Sequence, residues 1–505
     1  MICDSQKSLV DFLSSPKSYE GSVVQQINTH LSHIFLTRDR AYKIKRAVRF
    51  DFVDFSRPEL RKAACEKEVA INRRTAPEIY LGVVPIYCND GVMAWRGDGA
   101  PIDWAVEMAR FDTDTQFDEL VSRNKLETNA VKALADVIAS FHQTAEVVND
   151  FKPGAGVPAL LDQISTSLHE HAIGGRRERD IARWTTLAFE AFEEQARFLE
   201  SRRRHGWARH CHGDLHLANI CLFKGEPTPF DAIEFNDDLA NIDVLYDLAF
   251  TLMDLAHHHR CEHANFLLNR YLSITRDYGG LRLLPLFQSM RAGVRAMVLS
   301  LPTQSDMNKR MAERYLDLAL EFLIGEHEPR LVAVGGYSAT GKSTLAGALA
   351  MRINGRCGAV MLRSDVVRKR LFNQEPEEPL AMEGYSDTHS VAVYGRLFKD
   401  ARRALRAGQS VVLDATFLTP AFRKEAEDVA RHAGVPFTGL WLTAPRDVLM
   451  ERISARLNGA SDATASVLEK QLQRNVDYGN WHAVNADRTE ADTLREALTV
   501  SDLDH

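Results

Sequence analysis

A chain of 505 residues is too long for one ordinary hydrophobic core, so two or three domains are expected. Hydrophobic residues at 45% and charged residues at 26% describe a globular protein and exclude a disordered one. The formal net charge of −7 argues against a nucleic-acid backbone as the main partner, while leaving room for a local basic groove. No run reaches the ~18 apolar residues of a membrane span. The opening MICDSQKSLVDFL places acidic Asp4 ahead of any apolar stretch and lacks a signal-peptide layout. The cysteines (Cys3, Cys65, Cys88, Cys211, Cys221, Cys261, Cys357) are odd in number and free of CxxC spacing, which points away from disulfide or metal frameworks. The expectation is a cytoplasmic protein.

In chain order, short β-like runs come first, at His33–Thr37 and Arg40–Lys45 across a turn at Arg38-Asp39. A helical pattern follows over Pro58–Arg74, then β character at Val83–Tyr87, Val92–Trp95 and Trp104–Met108. From Phe117 to Arg204 the pattern is mostly helical, with breaks at Lys152–Pro158 and Gly174-Gly175. After a polar segment around His212, helices resume at Asp243–His257, Ala264–Thr275 and Met311–Leu323. The polar stretch Gly325–Arg330 marks a boundary between a domain at 1–325 and one at 331–505. Beyond it strand and helix alternate: Leu331–Val334, a helix from Thr344 to Ile353, a strand before Asp365, Ser410–Leu413, a helix at Asp447–Ala455 and a last strand at Ala483–Asp487. A β-rich lobe followed by a helical lobe predicts a bilobal α+β first domain. The alternation predicts an α/β, doubly wound second domain.

The firmest motif is GYSATGKS at Gly336–Ser343, between the strand LVAVGG and a helix that begins at once. Its glycines let the backbone of Gly336, Tyr337, Ser338, Ala339, Thr340 and Gly341 curl so that N–H groups face phosphates, and the helix starting near Thr344 adds positive potential. Lys342 would reach the β/γ-phosphates of ATP and the Ser343 hydroxyl would coordinate Mg²⁺. A chance match is the alternative, and the strand before and helix after count against it. Asp365, at the end of the next strand, reads either as the general base for an acceptor hydroxyl or as an N-cap. Asp414 closes a third strand in a position to hold Mg²⁺ through water. Arg452 and Arg456, four residues apart on one helix, suit a lid that stabilises transferring charge, although surface arginines share that spacing.

With GxxxxGKS, the RSD...R element, LDATF and the R-x3-R pair, Leu331–Val500 resembles the zeta-toxin/polynucleotide-kinase-like group of P-loop kinases. Gluconate-kinase and chloramphenicol-phosphotransferase types are close relatives of that group. The resemblance implies ATP-dependent phosphorylation of a hydroxyl on a small molecule or nucleotide.

The densest polar cluster of the first domain is HGDLHLAN, His212–Asn219, followed by Asp231 in PFDAIEF. Asp214 can orient a substrate hydroxyl, Asn219 can turn back to ligate Mg²⁺, and Asp231 can bridge metal to phosphates. A zinc site through His212 and His216 is the other reading, but those histidines fall on a turn-rich loop rather than a helix. From about Gln26 to Leu255 the chain resembles the aminoglycoside phosphotransferase/choline kinase branch of the protein-kinase-like fold. By that resemblance Lys43 pairs with the α/β-phosphates, Glu68 (or Glu66) is its ion-pair partner, and Trp104–Arg110 forms the strand and hinge that hold adenine. Asp247 of Tyr246-Asp247-Leu-Ala braces the catalytic loop. Two departures stand: the region near His30–His33 lacks a Gly-rich loop, and Glu234 competes with Asp231 for the metal.

The expected protein is thus a fused pair of kinases with ATP and Mg²⁺ as cofactors and a small-molecule hydroxyl as acceptor. A nucleotide-sensing regulatory module and a nucleic-acid end kinase are the rivals, the second disfavoured by acidic balance and the lack of an aromatic-basic stripe. The tract His257-His-His259, whose side chains diverge on a helix, and the charge runs at Arg176-Arg177 and Arg202–Arg204 read as solvated faces.

Overall fold

The run RAYKIK forms a strand over Arg40–Lys45, as its alternation predicts, and that alternation sets up the first site. Ile44 turns to one side of the sheet, into a cluster with Phe35, Ile86, Ala105 and the Leu9 and Leu13 of a short helix, Lys7–Ser14. Lys43 and Lys45, two residues apart, share the opposite face. The computed structural model describes residues 6–500 except 51–52, 90, 172–176, 303, 326–327, 354–357, 375–377, 379, 381–386, 456–463 and 475. Arg456, the Gly174-Gly175 break, Asp4, Cys3, Cys357, Arg176 and part of the Gly325–Arg330 stretch lie outside the described residues.

By packing, one unit comprises Met1–Asp254 with Met290–Leu316 and the other Leu255–Ser289 with Asp317–His505. The first holds a six-stranded antiparallel sheet in the spatial order Gln25–Asn28, Ser32–Leu36, Arg40–Lys45, Asp103–Ala109, Tyr80–Asn89, Val92–Ala94. The helix Pro58–Asn72, with proline at its favoured first position, packs Cys65 and Val69 against Tyr80 and Val106 of that sheet. Helices Phe117–Ser122, Thr128–Thr144, Pro153–Glu170 and Glu178–Arg204 follow. The break expected at Lys152–Pro158 is therefore a helix start. Pro153 lies in the first turn, where its missing N–H has no partner to lose, and Pro158 sits inside the helix. Burial of Val157, Leu161, Ile164 and Leu168, at helical spacing, holds the segment helical.

The second unit holds five parallel strands in the order Val360–Arg363, Val411–Asp414, Leu331–Gly336, Phe437–Thr443, His482–Asn485. The central strand is buried along its whole length, and Val332 and Val334 pack on Leu345, Ala346 and Leu349 of the helix Lys342–Ala350. This is a doubly wound α/β sheet, whose ligand crevice lies at the carboxyl ends of the strands. The edge strand Val360–Arg363 is covered by side chains of the helix Cys261–Thr275. Asn269 Oδ1 accepts from the Met361 N–H at 2.7 Å, and Asn265 Nδ2 donates to the Ala359 carbonyl at 3.0 Å. Two asparagines one turn apart thus stand in for a sixth strand. Among the described residues no helix is long and apolar enough to cross a membrane.

Candidate functional site

In the first unit the strand register brings both lysines onto one buried carboxylate. Lys43 Nζ lies 2.8 Å from Glu68 Oε1 and 2.6 Å from Asp231 Oδ1, and Lys45 Nζ lies 2.6 Å from Glu68 Oε2 and pairs with Glu234. Glu66, the alternative partner, sits over half exposed against Lys62 of its own helix, 3.7 Å away. Burial alone would raise the Glu68 carboxyl, but Lys43 and Lys45 outweigh it and bring it down to about 2. Glu234 stays above the usual carboxylate range because burial outweighs Lys45. Burial would lower the Lys43 ammonium, yet Asp231 and then Glu68 hold it well above its ordinary value. Asp231 adopts φ +60°, a left-handed conformation uncommon outside glycine, and its N–H donates to the Tyr80 hydroxyl at 3.2 Å.

The strand Ala208–His210 leads into the loop that carries Asp214. Asp247, fully buried, accepts from the backbone N–H groups of His212 and Gly213, both at 3.0 Å, and faces His142 Nε2 at 3.2 Å. Gly213 takes φ +84°, and a Cβ there would meet the Leu239 carbonyl at 2.9 Å, so the turn requires glycine. Asn219 Nδ2 donates to Asp214 Oδ2 at 2.9 Å, and His216 Nε2 lies 3.4 Å from the same oxygen. Burial favours protonated Asp214, but His216, then His212 and Arg291, hold it far below the ordinary range. Asp214 in turn raises His216 against the effect of burial. His212 Nε2 donates to the Phe230 carbonyl at 3.0 Å, so the two histidines of the zinc reading have separate partners. Backbone bonds from Phe230 to Asn219 and from Ile233 to His212 hold the Asp231 segment beside the Asp214 loop.

In the second unit the phosphate loop is strained where its chemistry needs it. Gly336 takes φ +138°, and a Cβ there would lie 2.7 Å from the Leu442 carbonyl, while Ala339 and Gly341 are also left-handed. Lys342 Nζ donates to the Tyr337 carbonyl at 2.6 Å, and Thr340 Oγ1 donates to the same oxygen at 2.8 Å. Ser343 Oγ donates to Asp414 Oδ2 at 2.6 Å, which brings the two expected metal-holding residues together. Asp365 lies in the first turn of the helix Ser364–Leu371, whose N-cap is Arg363. Enclosure by protein and then the neighbouring Asp414 raise its carboxyl above the ordinary range, with Arg363, Lys342 and Arg368 opposing. Arg452 donates to the Ala486 carbonyl at 2.8 Å, which ties it to the end of the last strand.

Several contacts had no sequence signal. Gln471, on the helix Ala465–Leu472, accepts the Ser338 N–H at 2.9 Å, and the Tyr337 hydroxyl donates to the Arg474 carbonyl at 2.9 Å. Ala339 packs with Leu449 and Leu468, so an apolar contact fastens the phosphate loop to these flanking helices. Arg363 contacts both Ser343 and Asp414. Its only forewarning is its place two residues before Asp365.

Comparison with known proteins bears on both units. Residues 38–284 match the Phosphotransferase enzyme family and residues 331–476 match an AAA domain. Uncharacterized proteins of Mycobacterium tuberculosis (strain H37Rv) and Mycobacterium bovis are each 31% identical over 467 residues, covering 90% of this chain and 91% of theirs. Among solved structures, a choline kinase from Cryptosporidium parvum is 12% identical and covers 63% of this chain and 95% of its own, with a TM-score of 0.42. A gluconokinase from Sinorhizobium meliloti is 23% identical and covers 35% of this chain and 96% of its own, with a TM-score of 0.25. This chain is similar to those enzymes without being any of them. The chain belongs to one family with its mycobacterial relatives, and in it a domain of the Phosphotransferase enzyme family precedes an AAA domain.

Proposed function

We propose that this protein carries two separate kinase sites, each of which passes the γ-phosphoryl group of ATP to a hydroxyl of a small molecule. The observation that carries the reading is that each unit joins a phosphate-binding lysine, a pair of oxygen donors and a carboxylate suited to an acceptor hydroxyl. Lys43, Asn219, Asp231 and Asp214 are that set in the first unit, and Lys342, Ser343, Asp414 and Asp365 in the second. Both donor pairs are hard oxygen ligands, the chemistry that suits Mg²⁺ better than softer metals. The metal, when bound, would neutralise charge on the phosphates.

The chain's own residues do the rest. Glu68 holds Lys43 where it can meet phosphate, and Asp231 is taken as the metal residue over Glu234, whose carboxylate is committed to Lys45. Asp214, kept ionised by His216, orients the acceptor hydroxyl and accepts its hydrogen bond. Asp365 has a more basic carboxyl and takes the acceptor proton as general base. Backbone N–H groups of Gly336–Ser343 bind the phosphates, and Lys342 exchanges the Tyr337 carbonyl for them. Arg452, on the helix Arg446–Ser454, and Arg456, outside the described residues, are assigned to charge stabilisation, a role that requires Arg452 to leave Ala486. The sites fall in domains 1–325 and 331–505 and act in the cytoplasm.

The test is to incubate the full chain with γ-labelled ATP and a metabolite extract, and to compare Asp214→Asn with Asp365→Asn. Each substitution should abolish a different labelled product. Wild-type protein that hydrolyses ATP slowly and labels nothing would instead favour a nucleotide-sensing module.

A further inference from the structure

Asp414 and Arg363 end neighbouring parallel strands and stand directly opposite one another in the register, so the sheet itself fixes where the arginine begins. Arg363 Nε lies 3.2 Å from Asp414 Oδ2, and its Nη2 lies 3.2 Å from Ser343 Oγ. Ser343 Oγ donates to that same Asp414 oxygen, so the three side chains close a triangle. One guanidinium therefore occupies both groups assigned to the divalent ion.

The electrostatics explain why a cation is needed there. The Asp414 side chain is 7% exposed, and the Asp365 carboxylate lies close enough to add to the negative charge there. Neighbouring carboxylates repel one another, and a positive charge beside Asp414 offsets that repulsion. Arg363 supplies that charge, and its own side chain is 29% exposed, so it has an open side towards which to withdraw. The alternative, a permanent structural ion pair, would leave Ser343 and Asp414 committed to the guanidinium with or without metal.

We propose that Arg363 is a resident counter-cation that holds the Ser343–Asp414 pair in place of the divalent ion and is displaced when the metal binds. The inference rests on the reading of Ser343 and Asp414 as the metal-holding pair. It makes the second site's metal affinity a competition between the ion and a side chain of the same protein. In the first unit the metal-assigned Asp231 is instead held by Lys43, the phosphate lysine itself.

The experiment measures Mn²⁺ binding to the full chain without nucleotide, at low ionic strength, from the loss of the free-ion paramagnetic resonance signal. Removing a unit positive charge from beside the metal position in Arg363→Met should tighten Mn²⁺ binding by about tenfold. Arg363→Lys, which keeps the charge, should stay within about threefold of wild type. Asp414→Asn should weaken binding and erase the gain when combined with Arg363→Met. If Asp414→Asn weakens Mn²⁺ binding but Arg363→Met leaves it unchanged or weaker, the counter-cation is refuted and the site reading stands. If Asp414→Asn has no effect, the metal reading of this pair fails and the inference falls with it.

Discussion

Replacing Glu68 by glutamine tests whether the two-lysine network supports the first unit as the geometry implies. Glu68 is fully enclosed and shared by Lys43 at 2.8 Å and Lys45 at 2.6 Å. Glutamine keeps its shape but leaves two buried ammonium groups with only Asp231 and Glu234. Breaking a buried pair by removing one partner costs about 3–5 kcal/mol. A second route gives a similar figure: a carboxyl brought from 4.5 to about 2 contributes about 3 kcal/mol, at roughly 1.4 kcal/mol per unit. Because the folded value lies below the unfolded one, this stabilisation is full above about 4.5 and fades as pH falls towards 2. Hydrogen exchange in a urea series, read on peptides covering Arg40–Lys45 and Pro58–Asn72, isolates this unit from the other. Loss of about 3 kcal/mol at pH 7, shrinking at pH 4, is expected. A loss under about 1 kcal/mol, or a gap that widens in acid, would show that the lysines do not depend on Glu68.

Other consequences are as specific. Gly336→Ala drives a Cβ to 2.7 Å from the Leu442 carbonyl at φ +138°, so it should abolish ATP-analogue binding at the second site only, measured by equilibrium dialysis. Unchanged binding would show that this loop does not hold the phosphates. Asn269→Ala strips the partner from the Met361 N–H and should cost the second unit about 1–3 kcal/mol in urea unfolding, with Asn269→Asp, which keeps the acceptor, losing less. The labelled product of the second site should disappear as pH falls through a midpoint above 3.8, since enclosure and Asp414 raise Asp365.

Residues whose spacing is dictated by chemistry were readable without coordinates. The phosphate loop, HGDLHLAN and the two fold classes follow from motif and alternation, because the backbone around phosphate admits few patterns, whereas Lys43 and Glu68 come only from the resemblance to the aminoglycoside phosphotransferase/choline kinase branch. The pairing of carboxylates with lysines was not readable. Asp231, at φ +60°, and Glu234 are three residues apart, yet one meets Lys43 and the other Lys45. Arg363 was passed over because its contact with Asp414 arises from parallel strand register, which chain distance does not report. Asn265 and Asn269 read as ordinary polar helix positions, yet they close the sheet edge. Only the start of the helix Pro153–Glu170 was hidden, by two prolines whose cost depends on where in the helix they fall.

Two independent ATP sites on one chain would show themselves in binding stoichiometry. With Mg²⁺ and a non-hydrolysable ATP analogue, isothermal titration should find two equivalents per wild-type chain. Lys43→Met and Lys342→Met should each leave one, and the double variant none. A single equivalent in the wild type, or the loss of both from either single substitution, would contradict the account.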